Sequence, residues 1–477
     1  LMRVISGPMC DKIGARKTFI FLLMLGVPGM IMMMAASSPE MFIMARLLIG
    51  LSLATFVTCQ VWCSQFFDRK VVGTVNATAG GWGNVGGGFT LLLMPQLMLY
   101  LRNQTDDINL SWRLCFILPL CMHFAAALFI WTGRDLPDGS YKDLETSGAK
   151  QKSKGGGNVA VLGFTNSNAW IMLITYGLCF GVELTMNNRL VTYFERYYAI
   201  PNETAGPLGA TFSLMNLFAR SWGGILSDYL ATKWGLRGRV TGMWVVQTLE
   251  GLMCILLGCV TTGMDSPDDA QFAGAAKVNS TWESEYGQIY TFDQPSLLVK
   301  PCASDLNRSP SHAWLDGTWV RMPLSQGTLI VMKDPAEGCI HSGDTLWLSL
   351  LVIIAFSICV QMAEGLHFGI VPYISRPALG VVSGMVGAGG NTGALISGQY
   401  IVSPLNPLDD GFIRLGCVIM GVSLIMHFIY FPDEGGILTK PGLGYDPQWV
   451  KPAADQKGAD ELKFDSTTKT SGGNVSV

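Results

Sequence analysis

The stretch R-V-I-S-G-P-M-C-D, Arg3–Asp11, decides the fold, because its spacing recurs as R-S-W-G-G-I-L-S-D, Arg220–Asp228. Both segments follow the pattern R-x3-G-x3-D, which places an Arg, a Gly and an Asp one helical turn apart on one face. A second pair follows in the same order: G-W-G-N-V-G-G-G around Asn84 and G-A-G-G-N-T-G-A around Asn391. Such self-similarity indicates two related halves built from one helical unit.

The composition indicates a membrane protein. Of 477 residues, 49% are hydrophobic and 14% are charged, against about 25% charged in a typical soluble domain. A helix needs about 20 apolar residues to cross a bilayer, so the chain is predicted to be an all-α polytopic membrane protein. The predicted crossings are Thr18–Ala36, Met41–Phe66, Val75–Leu99, Trp112–Thr132, Trp170–Val191, Pro207–Leu230, Val240–Val260, Leu346–Gly365, Leu379–Val402 and Phe412–Phe431.

The loops give the domain boundaries and an orientation. Lys and Arg gather in alternate loops, which the positive-inside bias makes cytoplasmic. The Gly-, Ser- and Lys-rich run S-G-A-K-Q-K-S-K-G-G-G favours a flexible linker between the halves. The predicted units are an N-terminal half 1–132, a cytoplasmic linker 133–168, a C-terminal half 169–431 with an outer insert at 261–345, and a cytoplasmic tail 432–477.

Two features of this organisation remain open. The insert has no long apolar run and is unusually long for a loop, so it is either an outer loop or an intron read as coding, and we assign it no function. The N-terminal half starts abruptly at Leu1. If each half has six helices, the first helix and most of the second are expected to be missing from this chain.

Gly7–Lys17, G-P-M-C-D-K-I-G-A-R-K, resembles the cytoplasmic signature of the major facilitator superfamily. In that superfamily the Asp and the basic residues latch helix ends and control rocking of the two halves. The resemblance implies gating roles for Asp11 and Arg16, and the repeat extends the expectation to Asp228. From loop charge alone, the same turn is also typical of a solvated cytoplasmic loop.

Arg3 and Arg220 are predicted to face the interior of the bundle, where a charged Arg costs about 2.5–3.5 kcal/mol. One alternative is that each Arg snorkels to the interface or binds backbone carbonyls. The other is an anion site in which two planar guanidiniums from opposite halves hold a small oxyanion. Asn84 and Asn391 are predicted to line the same cavity, although close helix packing alone accounts for the glycines around them.

The two Gly-Asn segments closely resemble the signatures of the nitrate/nitrite porter family. The stretches V-E-L-T-M-N-N, Val182–Asn188, and H-F-G-I-V-P-Y-I-S-R-P-A-L-G, His367–Gly380, resemble fungal high-affinity nitrate transporters. The resemblance covers nearly all of the chain except the insert and the tail. It implies two pseudo-symmetric halves that bind nitrate between Arg3 and Arg220.

The resemblance also implies aromatic rings that sandwich the flat anion. We expect Phe56 to be one of them and Tyr176 the other, with Phe180 as second choice for the latter. The alternative for both positions is core packing, because aromatic residues fill any helix bundle.

The predicted function is proton-coupled import of nitrate, with nitrite as a possible second substrate and nitrate assimilation as the context. Moving an anion into a negative interior costs about 2.3 kcal/mol per 100 mV, so protons must accompany it. The proton-coupling candidates are Glu183, Glu250 and Glu364. Nitrate/nitrite exchange and a nitrate sensor with little flux are the alternatives.

Other function classes are disfavoured by the motifs. The chain has no G-x-S-x-G, H-E-x-x-H or P-loop string, so it is predicted not to be an enzyme. Its twelve cysteines show no metal-ligand spacing, and we expect no metal and no cofactor. The expected partners are nitrate, nitrite, protons and the lipid bilayer, without nucleic acid, for a monomer in the plasma membrane.

Overall fold

The computed structural model describes residues 2–68, 70–137, 139–140, 156–198, 200, 202–261, 342–375, 378–402, 408–432 and 434–439, and five short strands between 281 and 331. At a few of these positions, among them Asp11, the structure describes the backbone but not the side chain. The predicted insert 261–345 and tail 432–477 therefore fall largely outside the described residues.

Helices form almost all of the described structure. Those of the N-terminal half are α1 Met2–Ile13, α2 Ala15–Ala35, α3 Pro39–Ser52, α4 Thr55–Phe66, α5 Val72–Thr105, α6 Ile108–Leu114 and α7 Ile117–Trp131. Those that follow are α8 Gly156–Phe164, α9 Ser167–Gly177, α10 Phe180–Tyr198, α11 Asn202–Leu214, α12 Ala219–Thr261, α13 Ser342–Ile374, α14 Leu379–Ile396 and α15 Leu408–Ser423. Helix α8 falls within the segment predicted to be a flexible linker.

Single irregular turns extend three of these helices. They are the 3-10 turns Met215–Leu217 and Leu424–Phe428 and the π turn Ser397–Ile401. The described strands are β1 Thr281–Glu283, β2 Ile289–Thr291, β3 His312–Leu315, β4 Thr318–Arg321, β5 Ile330–Val331, β6 Tyr430–Phe431 and β7 Gly435–Gly436. They pair antiparallel in the orders β1-β2, β3-β4-β5 and β6-β7.

The described residues contain nine segments that are long and apolar enough to span a bilayer. One of them, Thr204–Thr261, is 58 residues long and includes two of the predicted crossings. The chain reverses within α12 at Gly235, whose φ of 61° and ψ of −148° a residue with a Cβ rarely adopts. The predicted all-α polytopic fold is confirmed.

Polar caps define where several helices begin. The Ser38 side chain accepts a hydrogen bond from the Met41 N–H, directly before Pro39 opens α3. The Asn166 side chain accepts from the Ala169 N–H at the start of α9. Each cap satisfies a backbone donor that the helix itself leaves unpaired. The caps thus break apolar stretches into separate helices.

Glycines bring helices of the C-terminal half into backbone contact. A Cβ added to Gly393 of α14 would lie 1.8 Å from the Gly177 carbonyl oxygen of α9. A Cβ on Gly365 of α13 would lie 2.3 Å from the Arg220 carbonyl oxygen of α12. Only residues without a side chain allow such an approach. This packing fixes the height of Arg220 relative to α13.

Candidate anion site

Two buried arginines from opposite halves lie against the same aromatic ring. Arg3, on α1, is 5% exposed and Arg220, on α12, is fully buried. Their guanidinium carbons lie 5.1 Å and 5.4 Å from the centroid of the Phe56 ring on α4. The structure therefore brings together three residues that the sequence placed in one site, across a separation of more than two hundred residues.

Arg3 is held by one carbonyl and two rings. Its Nη1 donates a hydrogen bond of 2.6 Å to the Gly387 carbonyl oxygen on α14. Its guanidinium also lies 4.9 Å from the Phe180 ring centroid. The carbonyl bond is the one expected from the backbone-bonding alternative, but the buried Nε–H has no hydrogen-bond partner among the described residues. One donor of Arg3 is thus available to a ligand.

Arg220 is the centre of a polar cluster. Its Nη1 forms an ion pair and hydrogen bond with Glu364 of α13. Its Nη2 donates to the Tyr176 hydroxyl at 3.0 Å, and Glu183 Oε2 of α10 lies 4.0 Å from Nη1. As in Arg3, the buried Nε–H finds no acceptor in the described part of the chain. A Cβ on Gly80 would come within 3.0 Å of this Nε, so glycine keeps the space beside the donor open.

Three rings with small interplanar angles lie beside the two guanidiniums. Phe56 and Tyr176 are inclined by 20° with centroids 6.3 Å apart, and Phe180 stacks on both, at 5.8 Å and 5.5 Å. Phe368 of α13 meets Phe56 and Tyr176 edge-on, at 5.1 Å and 5.2 Å. The positive edge of one ring against the negative face of another favours this arrangement. Phe56, Phe180, Tyr176 and Phe368 thus form a continuous aromatic wall, and both guanidiniums contact it through Phe56.

The two predicted asparagines differ in environment. Asn84 of α5 is half-buried, and its Nδ2 donates to Glu183 Oε2 at 3.2 Å. Asn216 donates to the other oxygen of Glu183 at 2.7 Å. Asn84 thus reaches Arg220 through Glu183. Asn391 lies on α14 one turn after Gly387, and its side chain is exposed, so its contact with the anion stays a prediction.

Two of the predicted gating residues, Arg16 and Asp228, form hydrogen bonds near helix ends. Arg16 donates to Asp135 Oδ1 at 2.6 Å and to the Trp131 carbonyl oxygen at 2.8 Å. These bonds connect α2 with the end of α7 inside the N-terminal half. The side chain of Asp11 lies outside the described residues.

Asp228 joins the two halves. Its carboxylate accepts hydrogen bonds from the Gly73 N–H at 3.2 Å and from the Thr74 N–H at 2.7 Å, at the start of α5. It also accepts from the Thr74 hydroxyl and forms an ion pair with Arg239 at 2.8 Å. An anion at a helix N-terminus is stabilised by the backbone N–H groups and the helix dipole.

The three acidic candidates are all buried, with different partners. Glu183 is bound by two amides, and Glu364 by Arg220. Glu250, on the second arm of α12, is fully buried, and neither of its oxygens has a hydrogen-bond partner among the described residues. An ionised carboxylate without a partner is very costly in such a place.

Sequence reasoning missed Phe368 and Asn216. Phe368 lies within the quoted stretch His367–Gly380, so the family resemblance marked its neighbourhood without giving the residue a role. Asn216 belongs to the 3-10 turn just before Arg220, and nothing in its spacing or repeat position distinguishes it. The pairing of Arg220 with Glu364 was also missed.

Comparison with known proteins agrees with this architecture. Residues 1–266 match the family model described as Major Facilitator Superfamily. The fucose:proton symporter FucP of E. coli shares the fold, with a TM-score of 0.51 over 90% of this chain and 87% of that chain, at 9% identity. The fold and the two-half bundle are those of a membrane transporter of this superfamily.

The similar sequences narrow the assignment. "Nitrate transporter 2.1" of Chlamydomonas reinhardtii is 33% identical over 94% of this chain and 68% of its own length. "High affinity nitrate transporter 2.5" of Arabidopsis thaliana is 34% identical over 92% and 71%, respectively. "Nitrate/nitrite transporter NrtP" of a Picosynechococcus species is 24% identical over 82% and 73%. The chain belongs to the nitrate/nitrite porter family of the major facilitator superfamily.

Family membership also settles the question of enzymatic activity. The relatives named above are transporters and not enzymes, so the prediction that this chain is not an enzyme is confirmed. The resemblance to fungal members in particular stays a prediction.

Proposed function

We propose that this protein imports nitrate together with protons by alternating access, with nitrite as a second substrate. The observation that carries the proposal is the pair of buried guanidiniums, one from each half, against the Phe56 ring. Each has an Nε–H without an acceptor among the described residues, and a buried unpaired donor costs about 1–3 kcal/mol. An anion between the halves satisfies both donors.

The aromatic wall favours a planar anion. The Phe56 and Tyr176 rings are inclined by only 20°, with centroids 6.3 Å apart, so they offer nearly parallel faces on which a flat ion can stack. Arg, with its planar fork of donors, suits an oxyanion of this shape better than Lys does.

The division of the site between halves supports alternating access. Arg3 comes from the N-terminal half and Arg220 from the C-terminal half, while Asp228 binds the start of α5 across the same divide. When the halves rock about the central site, the anion stays between the arginines and the latch opens. We propose a monomer in the plasma membrane with the linker in the cytoplasm, because the linker carries a cluster of Lys residues at 142–154, and with the tail on the same side.

Proton coupling follows from the energetics of uptake. An inward nitrate anion moves against the membrane potential, at about 2.3 kcal/mol per 100 mV. Two protons transported with each nitrate make the net transported charge positive, so the membrane potential then favours inward movement. Glu183, Glu250 and Glu364 are buried carboxylates within or beside the site and are the proposed proton carriers.

The test is uptake of labelled nitrate into proteoliposomes that contain the purified protein, with and without an inward pH gradient. The proposal expects uptake that the gradient accelerates and that nitrite inhibits. Uptake that requires nitrite inside the vesicles, at any gradient, would establish exchange. Nitrate binding without flux would indicate a sensor. Absence of both binding and flux overturns the proposal.

A further inference from the structure

We propose that Glu364 is an internal competitor of nitrate for Arg220, and that protonation of Glu364 frees the guanidinium to bind the anion. The inference rests on the proposed function and names the group that couples the proton to the substrate. It makes Glu364 a positioning residue, which acts on nitrate through Arg220.

The geometry around Arg220 carries this inference. Glu364 and Arg220 form a direct ion pair, and both side chains are fully buried. An Arg whose charge is already neutralised at contact distance attracts a second anion only weakly. Nitrate and ionised Glu364 therefore compete for the same guanidinium.

Glu364 has room for a proton. Its Oε1 is buried and has no hydrogen-bond partner among the described residues. Protonation there displaces no donor and removes the negative charge that holds Arg220. The proton comes from the aqueous side from which nitrate enters. Arg220 keeps its own proton throughout, so its Nη1–H stops donating to the carboxylate and donates to a nitrate oxygen instead.

Glu183 is unsuited to the same role. Its two oxygens each accept an amide N–H, from Asn84 at 3.2 Å and from Asn216 at 2.7 Å. Both carboxylate oxygens of Glu183 are therefore occupied as acceptors. Glu183 Oε2 also lies 4.0 Å from Arg220 Nη1, farther than Glu364. Glu183 thus fixes the position of Arg220, and Glu364 is the exchangeable partner.

Several titratable or charged groups surround the pair. His367 Nδ1 bonds the Ala363 carbonyl oxygen at 2.7 Å, and its Nε2 lies 3.0 Å from the Thr175 hydroxyl. Tyr176 accepts from Arg220. The groups that act on Glu364 from the packed helices are Arg3, Tyr176, Cys179, Glu183, Arg220 and Glu250.

Competition of this kind links proton binding to nitrate binding. If protonation of Glu364 strengthens nitrate binding, bound nitrate strengthens proton binding by the same factor. An empty site keeps the Glu364–Arg220 pair, and a loaded site keeps both the proton and the anion. In both forms Arg220 has an anionic partner, which is the Glu364 carboxylate in the empty site and nitrate in the loaded site.

The experiment measures the dissociation constant of nitrate for the purified wild-type protein and for Glu364→Gln across a range of pH. Gln has the shape of a protonated Glu. In the wild type, the dissociation constant of nitrate should rise with pH in the range where Glu364 is ionised. The rise should be up to about tenfold per pH unit for one linked proton. In Glu364→Gln it should be independent of pH and, at alkaline pH, lower than in the wild type. If Glu364 had only a structural role, the substitution would give no such gain in nitrate affinity.

Two control variants make the result specific. Asp410→Asn removes an exposed carboxylate of α15 that pairs with Arg414 and should keep the wild-type dependence on pH. Glu250→Gln tests the other buried candidate. The proposal is overturned if nitrate binding by Glu364→Gln keeps the wild-type dependence on pH, whether or not Glu250→Gln loses that dependence.

A measurement on the wild type covers the case in which Glu364→Gln fails to fold. In weakly buffered solution above the titration of Glu364, addition of nitrate should raise the pH, with about one proton taken up per nitrate bound. Nitrate binding without proton uptake overturns the inference and leaves nitrate transport standing. Absence of nitrate binding at any pH overturns the proposed function itself.

Discussion

At the scale of single residues, the site contains two buried guanidiniums whose donors are only partly satisfied by acceptors of the described residues. Arg3 and Arg220 each use part of their donors on protein groups, and each keeps one Nε–H unpaired among the described residues. Buried donors are normally satisfied, and in the proposed function the bound anion completes both arginines. Phe56 is the side chain that both arginines share.

Replacement of Phe56 by Leu should weaken nitrate binding about tenfold, because it removes two cation–π contacts of about 0.5–2 kcal/mol each. Leu preserves an apolar side chain of similar bulk, so folding should persist. The measurement is the nitrate dissociation constant of the purified variant. Phe124→Leu, at an exposed position of α7, is the matched control, and an equal effect of both substitutions contradicts the role of Phe56.

Asn84→Ala should raise the half-saturation constant for nitrate about fivefold or more, since it removes the donor to Glu183 Oε2 and a lost hydrogen bond to a charged group costs about 1.5–3 kcal/mol. Glu183 then no longer holds Arg220 in place. Uptake kinetics and the amount of protein in the membrane are measured together. The prediction is wrong if the amount of protein falls while the half-saturation constant stays constant.

At the scale of helices, glycine contacts determine how closely the elements that carry the site approach. Gly393 of α14 and Gly177 of α9 touch through backbone atoms, and these helices also present Gly387 to Arg3 and Tyr176 to Arg220. The glycine-rich segments thus control the distance between the two arginines. A larger residue at such a contact must push the helices apart.

Gly393→Ala should therefore destabilise the protein by about 1–3 kcal/mol through overpacking. Thermal unfolding in detergent measures the effect, and the unfolding midpoint should fall by several degrees. Gly421→Ala is the control, because nothing lies within 4 Å of a Cβ added at Gly421 of α15, and Ala favours a helix over Gly by about 1 kcal/mol. Equal midpoints for the two variants contradict the packing argument.

The sequence predicted the elements well and their contacts only partly. Apolar length and repeat spacing identified the crossings, and the structure buries both repeat-related arginines. The pairing of Arg220 with Glu364 was not predictable, because 144 residues separate them and the register between α12 and α13 depends on glycine contacts along the whole interface. Phe368 was missed for the same reason. Long-range contacts have no local pattern from which to infer them.

At the scale of the whole molecule, the proposed alternating access requires that the two halves separate alternately on either side of the site. Asp228 connects them through hydrogen bonds to the start of α5 and an ion pair with Arg239. Such charge-assisted bonds must break when that side opens. We therefore propose that this latch contributes to the balance between the two orientations without contacting the anion.

Asp228→Asn should lower the maximal rate of nitrate uptake several-fold, because it weakens bonds to a charged group of about 1.5–3 kcal/mol each. The nitrate dissociation constant should change far less than it does when Arg220 is replaced. Uptake at saturating nitrate and binding in detergent are compared, with Asp410→Asn as the exposed control. A change in affinity as large as that of Arg220→Lys places Asp228 in the anion site and contradicts the latch.

The central claim, that Arg3 and Arg220 together bind nitrate, is tested most directly by calorimetric titration of nitrate into purified Arg220→Lys protein. Lys keeps the positive charge and loses the planar fork of donors. We expect the affinity to fall at least about tenfold, as for a lost charge-assisted hydrogen bond, and Arg3→Lys to behave alike. Arg46→Lys, at an exposed position of α3, should bind as the wild type does. Wild-type affinity in Arg220→Lys would contradict the account.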